Sequence, residues 1–124
     1  MAIPNPAFVK SFFTLLNNRD FESLKNHLTP DVTFYFPGTK PLVGPQKVIQ
    51  LLRIIYRRYA HLTFSIEDII IQRNKIAVVW SNSGNDVRGR LYKNRGVTIF
   101  KIEKDKIAYI SDFFKDTSFV KGPR

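Results

Sequence analysis

RLYKNRGVTIFKIEKDKIAYISDFF, residues 90–114, alternates in side-chain character over most of its length and breaks once, at Lys104-Asp105. A period of two, rich in β-branched and aromatic residues on both sides of a short polar break, reads as two strands joined by a hairpin. The strands are Arg90 to Glu103 and Lys106 to Phe114. Upstream, the same period runs through Leu62 to Gln72 and Ile76 to Ser83, with breaks at Arg73-Asn74-Lys75 and Ser83-Gly84-Asn85-Asp86. No linker separates the four strands, so they are expected to pair as an antiparallel meander.

Ahead of Leu62 the apolar period lengthens to that of a helix. Gln46 to Tyr59 places Val48, Leu51, Leu52, Ile55 and Tyr59 on one face and Lys47, Gln50, Arg57 and Arg58 largely on the other. Asn5-Pro6 reads as an N-cap followed by proline at the first helical position. From there Phe8, Phe12, Leu15 and Leu16 form the stripe of a helix over about Pro6 to Asn18. Asp20 caps a shorter helix with Phe21, Leu24 and Leu28, stopped by Thr29-Pro30-Asp31. Val32 to Phe36 reads as a first strand closed by Pro37-Gly38, and Pro37 to Pro45 as a loop. The expected order is therefore α-α-β-α-β-β-β-β in a single α+β domain spanning residues 1–124.

Composition narrows the chemistry. A chain of 124 residues can bury roughly two-thirds of the surface its unfolded form exposes, enough for a core without staples. The absence of cysteine excludes disulfides, thiolate metal sites and thiol catalysis. A 14% aromatic content argues for a large apolar interior rather than disorder. Met1 to Val9 has no basic segment and is broken by two prolines, which predicts no secretory signal. No apolar run approaches the ~20 residues of a membrane span. A cytoplasmic protein is the expectation, with no membrane partner.

Four segments carry a resemblance in their order and spacing. They are Leu28-Thr-Pro-Asp-Val-Thr-Phe, Gly44 ahead of the third helix, Asn94-Arg-Gly-Val-Thr-Ile-Phe-Lys-Ile, and Lys106-Ile-Ala-Tyr-Ile-Ser-Asp-Phe-Phe-Lys-Asp-Thr. Together they resemble the SnoaL-like members of the nuclear transport factor 2-like (ketosteroid isomerase-like) superfamily over nearly the whole chain. The resemblance implies a cone: three helices packed on a curved antiparallel sheet, with a pocket inside and a homodimer formed through the sheet. Alternate residues on each strand should face that pocket. The expected lining is Phe34, Phe36, Val78, Trp80, Asn82, Thr98, Phe100, Ile110, Asp112 and Phe114, joined by Phe12 from the first helix.

The same resemblance removes one activity and suggests another. The isomerases' base falls on Phe36, their oxyanion-hole tyrosine on Phe12 and their protonated aspartic acid on Thr98, so ketosteroid isomerase chemistry is not expected. The SnoaL-like cyclases use an aspartate on the final strand as general acid/base, and Asp112 matches that place. Set among Ile110, Phe114 and Trp80, its carboxyl should be desolvated and titrate near neutral pH. The competing reading is an ion pair with Arg90 or Arg95 that ties strands together. Two functions follow: an isomerase, cyclase or dehydratase using this one carboxylate on a small apolar molecule, or a non-catalytic ligand-binding or assembly module. Neither needs a cofactor.

Other residues take plainer readings. Asp116 reads either as a second carboxylate at the pocket rim or, the favoured reading, as the polar end of a strand. His27 and His61 sit at helix ends, where a cation meets the carbonyls favourably, and neither has a partner at metal-ligand spacing. Trp80 needs an acceptor for its indole N–H, for which Asn82 is the candidate. Tyr35 should pack under a helix, and Tyr56 and Tyr59 against the sheet. The charge balance of 20 Lys+Arg against 10 Asp+Glu gives +10. Its basic residues are split between Lys47, Arg57 and Arg58 on the third helix and Arg88, Arg90, Lys93 and Arg95 on the strands. With no recognition-helix, ribonucleoprotein or phosphate-loop motif, nucleic acid is not the expected partner.

Overall fold

The computed structural model describes residues 5–115, so Asp116 lies outside the described residues. Asn5 caps the first helix, α1 (Pro6–Asn17), its side chain accepting from the Ala7 amide at 2.9 Å, and Val9, Phe12, Phe13 and Leu16 turn inward. Asp20 accepts from the Ser23 amide at 3.2 Å and opens α2 (Phe21–Lys25). That helix ends sooner than expected, because Leu28 already belongs to β1 (Leu28–Tyr35). Thr29-Pro30-Asp31 therefore lies inside a strand, at an irregularity between Leu28 and Thr33 where a proline need not donate to the ladder.

The Pro37 to Pro45 segment is not all loop. It contains β2 (Leu42–Val43), which pairs with Thr33 and Phe34 of β1. Gly44 follows at φ 96°, a conformation that favours glycine, and donates its amide to the Val32 carbonyl at 2.8 Å. Pro45 starts α3 (Pro45–Arg58), with Val48, Ile49 and Leu52 buried. The remaining strands are β3 (Ala60–Gln72), β4 (Lys75–Asn85), β5 (Leu91–Glu103) and β6 (Lys106–Phe114).

These strands form one six-stranded sheet in the order β2-β1-β6-β5-β4-β3. The meander β3 to β6 is antiparallel throughout, but β1 pairs with β6 in parallel, so the sheet is mixed rather than purely antiparallel. Side-chain alternation is the same in either direction, and only the long connection through α3 and the meander permits a parallel pair. The β5–β6 hairpin turns at Lys104 and Asp105, both with positive φ (50° and 63°), as a two-residue turn with the sheet's own twist requires.

The expected break at Ser83 to Asp86 is displaced. β4 continues through Gly84, where a Cβ would stand 2.8 Å from the Ala60 carbonyl oxygen and 3.0 Å from Leu62 Cα. This glycine serves close strand packing rather than a turn. The turn follows at Asp86, whose carboxylate accepts from the Arg88 amide, the Arg90 amide and Arg90 Nε, each at 2.9 Å.

Helices and sheet enclose an apolar core. Phe100 is fully buried there, edge-on to Phe12 at 5.2 Å and near Phe13 at 6.2 Å. Among the described residues no helix covers the other face of the sheet. Tyr35, rather than lying under a helix, is exposed on that face beside Tyr109, with ring centroids 5.3 Å apart, and Phe113 is 57% exposed. Among the described residues no helix is long and apolar enough to cross a membrane.

Candidate functional site

Strand register assembles the site. Val78 stands opposite Thr98 and Thr98 opposite Asp112, while Trp80 stands opposite Gly96 and Gly96 opposite Phe114. At Gly96 an added Cβ would collide with the Phe113 carbonyl oxygen and lie 2.7 Å from Trp80 Cζ2. The missing side chain is what gives the indole its place against β5. There Trp80 Nε1–H donates to Thr98 Oγ1 at 2.8 Å, and Thr98 Oγ1–H donates to Asp112 Oδ1 at 2.5 Å. Since Thr98 accepts from the indole, its own proton is directed at the carboxylate. The indole's partner is thus Thr98 and not Asn82.

This relay forms part of the wall of a cavity of about 70 Å³ between α1, α3 and the inner face of the sheet. Phe12, Phe34, Phe36, Trp80, Asn82, Thr98, Ile110, Asp112 and Phe114 all border it. Phe100, expected among them, does not: it packs beneath Phe12 and Phe13 as core, and Val78 is likewise fully buried away from the lining. Phe36, Phe12 and Thr98, the positions that in the isomerases would carry polar catalytic groups, present two rings and a hydroxyl.

Several wall residues were not anticipated. Tyr92 and Asn94 share the parity of Thr98, so extending the alternation three steps toward the start of β5 would have found them. Asn94 Nδ2 donates to the Tyr92 hydroxyl at 2.9 Å, and the Tyr92 ring stacks on Tyr59 at 4.1 Å. Phe64 of β3 meets Trp80 in a T-shaped contact at 5.0 Å. Tyr56 was expected only to pack. Its ring lies near Phe21, at 5.7 Å, and beneath the Arg19 guanidinium, at 4.1 Å, and the residue borders the cavity. Among the described residues, Tyr56 Oη and Asn82 Oδ1 are both buried without a hydrogen-bond partner.

Burial pushes the Asp112 carboxyl up from 3.8 to about 6, against the opposing pull of the Thr98 hydrogen bond. The residue as a whole keeps intermediate exposure, so the desolvation belongs to the carboxyl end in the wall rather than to the entire side chain. Neither arginine proposed as its ion-pair partner reaches it. Arg90 pairs with Asp86 at 2.9 Å and Arg95 with Glu67 at 3.0 Å.

The remaining polar residues fall elsewhere. His27 Nδ1 meets the Ser23 carbonyl at 3.1 Å, a helix-end contact, and His61 is exposed at the start of β3. Among the described residues no group of three His, Cys, Asp or Glu is placed to hold a metal ion. Lys93 and Arg95 border an outer groove with Lys115, whereas Arg57 borders a separate depression with Arg19 and Arg53. Among the described residues no Lys or Arg borders the cavity.

Residues 9–110 match the family model of the SnoaL-like domain. Among solved structures, an NTF2-like protein of unknown function from Burkholderia pseudomallei K96243 superposes with a TM-score of 0.83 at 19% identity, covering 93% of each chain. A protein with a ketosteroid isomerase-like fold from Catenulispora acidiphila DSM 44928, crystallised with trimethylamine, gives 0.83 at 11% identity over 94% of this chain and 91% of its own. TerC, co-crystallised with polyporic acid, gives 0.81 at 15% identity over 93% and 94%. No curated protein matches in sequence. The α+β architecture, three helices on a six-stranded and mostly antiparallel sheet, is the NTF2-like fold, and this chain belongs to the SnoaL-like domain family.

Proposed function

We propose that the protein binds a small, largely apolar molecule in this cavity and moves a proton on it with Asp112. The observation that carries the reading is the relay Trp80–Thr98–Asp112, which ends in a desolvated carboxyl that neither Arg90 nor Arg95 neutralises. With its pKa at about 6, that carboxyl is roughly ten to one ionised at pH 7. It acts first as a base and, once protonated, as an acid of useful strength.

One proton transfer serves all three reaction types. The carboxylate takes a proton from a carbon next to an electron-withdrawing group, and the C–H electron pair moves into that group. The proton held on Asp112 then returns to a different carbon in an isomerisation. In an aldol closure it goes to the carbonyl oxygen that the new carbon nucleophile attacks, and in a dehydration it leaves with the departing hydroxyl as water. Fold neighbours crystallised with trimethylamine and polyporic acid support small-molecule binding by this architecture. The reading includes a homodimer through the outer sheet face, supported by the exposure of Phe113 and Tyr35 there, and a cytoplasmic site of action.

The test is deuterium uptake into the methyl group of acetophenone in D₂O, read by mass spectrometry. Uptake above the buffer rate in the wild type and at the buffer rate in Asp112→Asn supports the proposal. Equal uptake by both proteins refutes it and leaves a ligand-binding or assembly module.

A further inference from the structure

The polar inventory of the cavity wall is nearly closed on itself. Trp80 Nε1–H is spent on Thr98, Thr98 Oγ1–H on Asp112, and Asn94 Nδ2–H on Tyr92. Among the described residues two buried atoms remain without a partner, Tyr56 Oη and Asn82 Oδ1, each on a residue that borders the cavity. Buried polar groups are almost always satisfied, and leaving one bare costs more than a formed bond returns, so exceptions call for an explanation. Tyr56 comes from α3 and Asn82 from β4, independent elements that each place a residue with an unmatched buried group beside the same space.

We infer that Tyr56 and Asn82 set the polarity of the ligand: the cavity takes a compact apolar carbonyl compound that also bears a hydroxyl. The carbonyl oxygen accepts from Tyr56 Oη–H and the hydroxyl donates to Asn82 Oδ1. The inference rests on the cavity being the binding site proposed above.

The chemistry of each group fixes its role. Burial pushes the Tyr56 phenol up, outweighing the Arg19 guanidinium over its ring, so the hydroxyl stays neutral and offers a proton. An amide oxygen has no proton to give and needs a donor. A carbonyl held by Tyr56 is also the group into which electrons flow when a neighbouring C–H is deprotonated, and a buried donor aimed at it stabilises the charge that develops. An ammonium ligand would also satisfy Asn82 and pair with Asp112. The formal charge of +10 works against it, since the field of the whole protein repels cations.

Four ligands that share a phenylethyl carbon skeleton separate these cases: ethylbenzene, acetophenone, 2-hydroxyacetophenone and 1-phenylethylamine, titrated calorimetrically into wild type, Tyr56→Phe and Asn82→Leu. The affinity ratio of acetophenone to ethylbenzene is expected to fall about 3- to 10-fold in Tyr56→Phe, the range of one buried hydrogen bond. The ratio of 2-hydroxyacetophenone to acetophenone is expected to fall by a similar factor in Asn82→Leu. A ratio unchanged by its substitution overturns the assignment of that residue, and 1-phenylethylamine binding tightest in the wild type overturns the ligand class. A second readout needs no variant. The carbonyl ¹³C resonance of bound acetophenone should lie downfield of its position in hydrocarbon solvent, and coincidence with that position counts against Tyr56. Failure here is distinguishable from failure of the Asp112 reading. Asp112-dependent deuterium uptake with unchanged ratios removes only this inference, and shifted ratios without uptake remove only the catalysis.

Discussion

Replacing Asp112 with Asn is expected to remove the proton chemistry together with the loss of stability that the wild type undergoes as pH rises. The folded carboxyl holds its proton up to about pH 6, whereas the unfolded chain releases it near 3.8. Between those values the native state binds more protons than the unfolded state, so the free energy of unfolding falls as pH rises. The penalty is absent below the unfolded pKa and complete above the folded one. For these two values it grows by about 2.5 kcal/mol between pH 4 and pH 8. Asparagine does not titrate. Its amide oxygen can keep the Thr98 hydrogen bond, and any cost of its unpaired N–H is the same at both pH values and cancels. Urea unfolding of both proteins at pH 4 and pH 8 reads the effect. The stability of Asp112→Asn relative to wild type should rise by about 2.5 kcal/mol between them, a relative midpoint shift of roughly 1–2 M. A difference that stays constant, or wild type gaining on the variant as pH rises, would mean that the carboxylate is solvated or paired, and the reasoning fails.

Gly96→Ala should cost about 2 kcal/mol, because the new methyl meets the Phe113 carbonyl, which is backbone and cannot swing aside, as well as the Trp80 ring. Thermal unfolding measures it, and an unchanged Tm would contradict the packing. Light scattering should show a dimer for the wild type and a monomer for Phe113→Glu, whose charge would sit in the proposed interface; a wild-type monomer at micromolar concentration removes that interface. Binding to single- or double-stranded nucleic acid should be weak and lost at physiological salt, since the basic residues border separate grooves. A micromolar complex that persists there and disappears when Arg57 and Arg58 are both changed to Gln would promote nucleic acid to the main partner.

The helices and the meander were legible because each rests on a local signal: the Asn5 and Asp20 caps, the α3 stripe and the strand alternation. The parity that brings Trp80, Thr98 and Asp112 to one face is also local, since it follows from counting by two along each strand. What escaped was set by distant neighbours. Parallel pairing of β1 with β6 leaves no trace in either strand's own pattern. Gly84 and Gly96 read as turn or neutral residues, yet their role is to let Leu62 and Trp80 approach. Phe100 has the parity of a lining residue but lies too deep, beneath Phe12 and Phe13, a matter of depth that alternation cannot express. Tyr56 lies on an apolar helical face, and only the packed structure shows that it borders the cavity with its hydroxyl buried away from solvent.

The pD dependence of deuterium uptake into acetophenone tests the role of Asp112 most directly. In the wild type the rate should climb about tenfold per unit at low pD, bend near the carboxyl's own value of about 6, and stay level above it until solvent exchange overtakes it. A wild-type rate that rises without a bend through pD 9, or one that Asp112→Asn reproduces, would contradict it.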